Sequence, residues 1–359
     1  MTTWCVVKDD TGEKRGRELL PRFALLSILA LVVVSLGVAL TPGGPKEPAA
    51  PPYSEQARAA ALSDTMRLRA AGEQLARSAA GAGQASVSLT VSLLTSQARA
   101  LLLPGEPVSD AAVSPSAPPA SSAAAPPSSA AALAGALASS GSQRLADAAV
   151  ADGGMARLLA SVGTAQLLQA SSLAAATGAP DPPQADPAGP KPSGACPGQP
   201  ATASTSGPSD GAAILREALA ATVRSELETV YGYQVALTRL GVGAATSASE
   251  QLARHEALAG EAEALSRMHC APVPSRQAGY TMSPDFLASP AAGLGSLEAS
   301  ALPVYGDLVA LSEGQTRQWA IAGLVGAARR SALWGAETGA LPGLGMDPEG
   351  FPELPTPSP

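Results

Sequence analysis

Histidine is almost absent from this chain: 359 residues contain two, His255 and His269. That scarcity bears on chemistry directly, since hydrolytic triads and most transition-metal sites draw on imidazole. HExxH, CxxC and GxxxxGK[ST] are all missing, which removes the usual signatures of zinc proteases, thiol oxidoreductases and phosphate-binding loops. Aromatic residues make up 3% of the chain. Sandwiches and barrels draw on β-branched and aromatic side chains, whereas alanine-rich cores suit closely packed helices. Lysine occurs four times (Lys8, Lys14, Lys46, Lys191), arginine supplies the other positive charge, and the net charge is -7. With no basic stripe, nucleic acid is not an expected partner. Abundant alanine, glycine and proline with few lysines is the bias of a high-GC bacterial genome.

What the chain does have begins with an apolar run. Residues 1–22 are polar and carry Lys8, Lys14, Arg15, Arg17 and Arg22; residues 23–41, FALLSILALVVVSLGVALT, are free of charge and are followed by PGGP. At about 1.5 Å per residue such a helix just spans a hydrocarbon core of ~30 Å. The basic flank sets residues 1–22 in the cytoplasm, so everything after the run faces outward. The expected location is the bacterial cell membrane, with a single pass and an extracytoplasmic C-terminal domain. Cleavage after Ala39 would instead give a secreted protein.

Periodicity then points to an all-α chain. Residues 54–80 repeat apolar or small positions every three or four residues (Ala61, Thr65, Leu68, Gly72, Leu75). Residues 84–103 carry a helical stripe at Val87, Val91, Leu94, Ala98 and Leu101, although SVSLTVSLL also alternates with period two. A Pro/Ala/Ser insertion at 104–130 has almost nothing to bury, so disorder is expected there. Two further helices follow at 131–152 and 155–177, making 54–177 an N-terminal helical region. Residues 178–210 form a Pro/Gly/Ser linker.

A C-terminal domain is expected over 211–354. Ala212–Leu240, Ser247–Met268, Ser289–Glu313 and Gln315–Trp334 read as four helices joined by short loops and one longer crossover, a pattern that fits an antiparallel four-helix bundle. On the first, Leu215, Leu219, Val223, Val230, Tyr233 and Leu237 share an arc that also contains Glu226. On the second, His255 sits in the apolar face and Glu261 points away. On the third, Leu297, Ala301, Val304, Leu308 and Leu311 face inward, with Glu298 and Tyr305 at the edge. On the fourth, Ile321, Leu324, Val325, Ala328 and Ala332 face inward. Arg329 and Arg330 near its end are expected to complement the helix dipole.

Several strings resemble a known family: SELETVYGY at 225–233, RHEAL at 254–258, LEASALPVYGDLV at 297–309, AARRSALW at 327–334 and the Phe351-Pro352 tail. They resemble the ferritin-like domain of unknown function, family 4439, of exported actinobacterial proteins, over roughly residues 212–354. The resemblance implies a ferritin-like bundle and a bacterial origin. It implies no activity.

Di-iron bundles need a glutamate from each of two helices and a Glu-x-x-His pair from each of the other two. Glu226 and Glu298 suit the glutamates. His255 is preceded at the third position by Leu252, and the fourth helix offers Ile321, Leu324, Val325, Ala328 and Ser331. Glu226, His255 and Glu298 are therefore the only candidate metal ligands, and no iron or manganese cofactor is expected. Glu226 is expected instead to pair with His255, Tyr233 or Tyr305, because a buried carboxylate without a partner is costly. Cys196 and Cys270, both on the exported side, are expected to form a disulfide.

Two functions follow. One is a non-enzymatic, membrane-anchored envelope module that acts through an envelope partner or self-association. The alternative is a metal-dependent or redox enzyme with an atypical carboxylate/His site.

Overall fold

Small side chains let helix backbones approach closely, and this chain uses its alanine and glycine in that way. The computed structural model describes residues 29–31, 50–78, 82–102, 126–182, 189–194, 196, 210–345 and 350–354. Among them every long regular element is a helix: α1 (Tyr53–Ser78), α2 (Ala82–Leu101), α3 (Ala130–Val150), α4 (Gly153–Thr177), α5 (Asp210–Leu237), α6 (Val242–Met268), the short α7 (Pro284–Ala288), α8 (Pro290–Leu311) and α9 (Gly314–Leu333). The ambiguous stretch after residue 84 is thus helical. Val87, Leu94 and Leu101, seven residues apart, are all buried, because they share the stripe that faces α1 and α4. The expected membrane segment 23–41 lies outside the described residues apart from 29–31, which are helical and exposed. The insertion at 104–130 likewise lies outside them up to residue 125.

Residues 1–51 and 52–359 are separate units. Within the second, α3 and α4 form the tightest pair. A Cβ on Gly141 would lie 2.9 Å from the carbonyl oxygen of Gly163, and one on Gly163 would lie 2.8 Å from that of Gly141. The backbones meet where neither residue has a side chain. Asp152 caps the start of α4, and Gly178, in the left-handed region (φ 65°), ends it. Among the described residues α4 alone is long and apolar enough to cross a membrane, and 67% of its apolar window is buried inside the protein.

The N-terminal helices pack on the C-terminal ones. A single apolar core runs from Leu68, Leu94, Leu133 and Leu159 to Leu219, Leu265, Leu308 and Leu324. Arginines tie the two halves together through backbone oxygens. Arg157 donates from Nε to Gly343 O at 2.8 Å and pairs with Asp307 at 2.6 Å. Arg99 reaches Phe351 O at 2.7 Å. Arg317, buried at the start of α9, donates to Val309 O and Ser312 O on one side and Ala151 O on the other. The Arg317 bonds satisfy carbonyls at the ends of α8 and α3 that have no intrahelical partner.

In the C-terminal half α5 packs against α6 and α8, and α8 against α9. Helix α8 continues through Pro303, which is exposed, so the proline ring sits on the solvent side. Two positions read as inward face out: Leu311 is 39% exposed and Ala332 is exposed. Each lies in the last turn of its helix.

Candidate functional site

A seven-residue stride returns to nearly the same direction on a helix, since seven steps of about 100° fall about 20° short of two full turns. Helix α5 carries Glu226 and Tyr233 at that stride, α8 carries Glu298 and Tyr305, and α9 carries Gly323 and Arg330. The pairs interlock. Tyr305 OH donates to Glu226 Oε1 at 2.6 Å, and Tyr233 OH donates to Glu298 Oε1 at 2.7 Å. Glutamate on each helix thus meets tyrosine on the other, which requires α5 and α8 to run antiparallel. The third stride fits the same two layers. The ring of Tyr305 lies over Gly323, where a Cβ would be 2.0 Å from Cε1, and Arg330 Nε lies 2.9 Å from both oxygens of Glu298.

His255 on α6 joins the layers. Its Nδ1 is 2.8 Å from Glu226 Oε2 and its Nε2 is 2.7 Å from Glu298 Oε1. Glu226, His255 and Glu298 are each at most 1% exposed. An ionised carboxylate only accepts hydrogen bonds, so a ring between two of them must donate from both nitrogens. With both carboxylates ionised, the site is an imidazolium and a guanidinium facing two carboxylates, with the tyrosine hydroxyls donating to them as well. Charge is balanced inside the protein, as burial of four ionised groups demands.

The proton affinities follow from the same contacts. Burial alone would push His255 down, but the hydrogen bonds and charges of Glu226 and Glu298 outweigh it and hold the imidazole above its ordinary value. Burial alone would push Glu298 up, but the His255 hydrogen bond, the Arg330 charge and the Tyr233 hydroxyl hold it below the usual carboxylate range. Burial and Glu226 push Tyr305 well up, and burial and Glu298 do the same to Tyr233, so both tyrosines remain donors.

Aromatic rings flank the cluster at both ends. Trp334 Nε1 donates to Tyr233 OH at 2.7 Å. Tyr233 stacks on His255 with ring centroids 5.2 Å apart. Tyr305 meets Trp319 at 5.6 Å, and Trp319 Nε1 donates to Glu261 Oε2 at 2.7 Å. A chain poor in aromatics therefore spends four of its largest rings on one site.

All three candidate ligands named from sequence come together here, but not as a metal cage. The imidazole lies between the carboxylates, and both its nitrogens are taken. Among the described residues no three His, Cys, Asp or Glu side chains are arranged to hold one ion. The residues do not fit a di-iron centre: Leu252 stands three before His255, and the fourth helix brings a cation, Arg330, to the place where ligands would be needed. Glu298, at the edge of its helical arc by sequence, is fully buried, and Arg330, expected to complement the helix dipole, turns inward. Glu261, read as pointing away, accepts from Trp319. The signal for Arg330 lay in Gly326, one turn earlier, where a Cβ would be 3.0 Å from Arg330 Nη1. Cys196 and Cys270 are bonded, as a disulfide that spans 74 residues of sequence.

Every residue of the cluster lies inside one family match. Residues 218–346 match the family model described as Domain of unknown function (DUF4439). The resemblance read over residues 212–354 therefore holds for this C-terminal segment. No curated protein and no solved structure matches the chain. The DUF4439 segment contains α6, α8 and α9 entire and α5 from Ala218, so it includes both glutamate–tyrosine strides, His255 and Arg330.

Proposed function

We propose that the chain is an exported bacterial protein, anchored by residues 23–41, whose ferritin-like four-helix domain serves as a non-enzymatic binding or structural module of the cell envelope. One observation carries the reading: the two positive charges that balance Glu226 and Glu298 come from the chain itself, from His255 and Arg330. In a ferritin-like bundle that core would otherwise be the place for iron or manganese. Here it is a lock between four helices, and the function belongs to the outer surfaces, with an envelope protein or a second copy of the chain as partner.

The competing reading is a metal-dependent or redox enzyme, favoured by the convergence of Glu226, His255 and Glu298. Purification of the full chain from washed membranes, followed by elemental analysis, separates the two. We expect the chain in the membrane fraction, free of stoichiometric iron or manganese, with a melting temperature indifferent to chelator and to added metal. One or two equivalents of metal, lost on Glu226→Ala, would establish the enzyme reading in its place. A chain found wholly in the soluble fraction would remove the anchor.

A further inference from the structure

Helix α6 is the outermost of the four C-terminal helices. Its backbone packs on α5, while its approach to α9 is slight. The α6–α9 seam is held by side chains: Trp319 Nε1 to Glu261 Oε2, His269 Nε2 to Thr316 Oγ1 at 2.8 Å, and Gln315 Nε2 to Met268 Sδ at 3.3 Å. Behind it lies Trp319, which touches Tyr305, the hydroxyl donor to Glu226.

A strap crosses this seam, made of residues 189–194 and Cys196. Gly189 packs on α9, where a Cβ would meet Ala322 Cβ at 3.2 Å and Trp319 Cδ1 at 3.5 Å. Ser193 O accepts from Gln315 Nε2 at 3.1 Å. Gly194 approaches Met268 on α6, and Cys196 is bonded to Cys270, two residues past the end of that helix. The strap thus runs from the middle of α9 to the end of α6. Both cysteines are exposed. Cys270 is also the one non-glycine residue at positive φ (53°) among those described. It occupies the position after a helix end where glycine is the favoured residue. The backbone gains nothing from a cysteine there, so the bond to Cys196 is its use.

We infer that the Cys196–Cys270 disulfide is a redox clasp. It holds the strap across the α6–α9 seam, and its reduction by a dithiol opens that seam toward the buried carboxylate–histidine cluster. In the exchange, one thiolate of the dithiol attacks a sulfur of the bond and forms a mixed disulfide, and the other cysteine leaves as a thiolate that takes a proton. The reductant's second thiolate then attacks the reductant's own first sulfur and expels the remaining cysteine as a thiolate that takes a proton, leaving two cysteine thiols on the chain and the reductant as its disulfide. Exposure of both cysteine residues gives the reductant access. The clasp is independent of what the DUF4439 segment binds, and it gives the outer surface two states.

Amide hydrogen exchange on the full chain, oxidised and reduced, tests this. Reduction should accelerate exchange over residues 261–269 of α6 and 315–322 of α9 by about tenfold or more, with less than about twofold change over 219–227 of α5 and 301–309 of α8. Cys196→Ser and Cys270→Gly should each reproduce the reduced pattern; the glycine variant keeps a favoured helix end, so agreement between the two assigns the effect to the bond. An unchanged seam, equal acceleration in all four segments, or a peptide mass showing Cys196 and Cys270 both free in the oxidised chain would overturn the proposal. So would a seam that opens in Cys196→Ser but stays closed in Cys270→Gly.

Discussion

Glu298→Leu is expected to destabilise the fold by about 3–5 kcal/mol, the usual cost of leaving a buried charge without its partner. Glu298 is the acceptor shared by His255, Arg330 and Tyr233. Its removal strands a guanidinium and an imidazole nitrogen where water does not reach. Domains are stable by only about 5–15 kcal/mol, so a loss of this size is a large fraction of the total. Arg330→Met alone should also be costly, since it leaves Glu298 with one cation instead of two. The double variant is the informative one. Replacing both members of a buried pair with apolar side chains is often close to neutral, so Glu298→Leu with Arg330→Met should be more stable than the sum of the single losses predicts, by about 2 kcal/mol or more. Urea unfolding of the four proteins gives the cycle. Simple additivity would show that Arg330 and Glu298 do not act as a pair.

Gly323→Ala should destabilise by about 3 kcal/mol, against the direction of helix propensity. In an exposed helix interior the same change stabilises by up to about 1 kcal/mol. At Gly323 the new methyl would fall 2.0, 2.4 and 2.7 Å from three atoms of the Tyr305 ring. The ring has to move. Overpacking of this kind costs about 1–3 kcal/mol. A displaced hydroxyl adds about 1–3 kcal/mol by leaving Glu226 Oε1 without its donor. Gly260→Ala, in the middle of α6 with nothing within 4 Å of the added Cβ, is the control and should be neutral or stabilising. If the two alanine variants shift the melting temperature alike, Gly323 is not a seat for Tyr305.

These two predictions also show where the sequence could be read and where it could not. The helices were legible because their buried faces keep a regular period. Val87, Leu94 and Leu101 settle into a helical stripe despite the alternation of SVSLTVSLL, since a strand among helices would have no ladder to join. The longer crossover between the second and third expected helices contains the short helix α7, which begins at Ser283 followed by Pro284 as α8 begins at Ser289 followed by Pro290, serine before proline being a helix-start signal. The site was half legible. Glu226 and His255 stand in apolar arcs of their own helices, and an acid or imidazole there announces itself. Glu298 and Arg330 do not, because a wheel gives a direction from one helix axis and says nothing of where a neighbouring helix lies. A long side chain such as arginine reaches inward from a position that the wheel assigns to the flank. What the sequence did contain was the shared stride, Glu226 to Tyr233, Glu298 to Tyr305, Gly323 to Arg330. Glycines in the middle of a helix cost stability, so Gly323 and Gly326 are places where a close approach can be accommodated, although Gly260 shows that such a glycine need not have a close neighbour. The two-layer arrangement follows once three helices are seen to repeat the same interval.

In the reading proposed above the cluster supplies its own cations, with His255 as an imidazolium between two carboxylates. Nitrogen-15 NMR of the His255 ring tests it most directly. In metal-free protein at neutral pH, both Nδ1 and Nε2 should carry protons, and the ring should stay doubly protonated above the pH at which an ordinary histidine deprotonates. A neutral ring at that pH, or a ring nitrogen bound to a metal ion in the purified protein, would contradict the account.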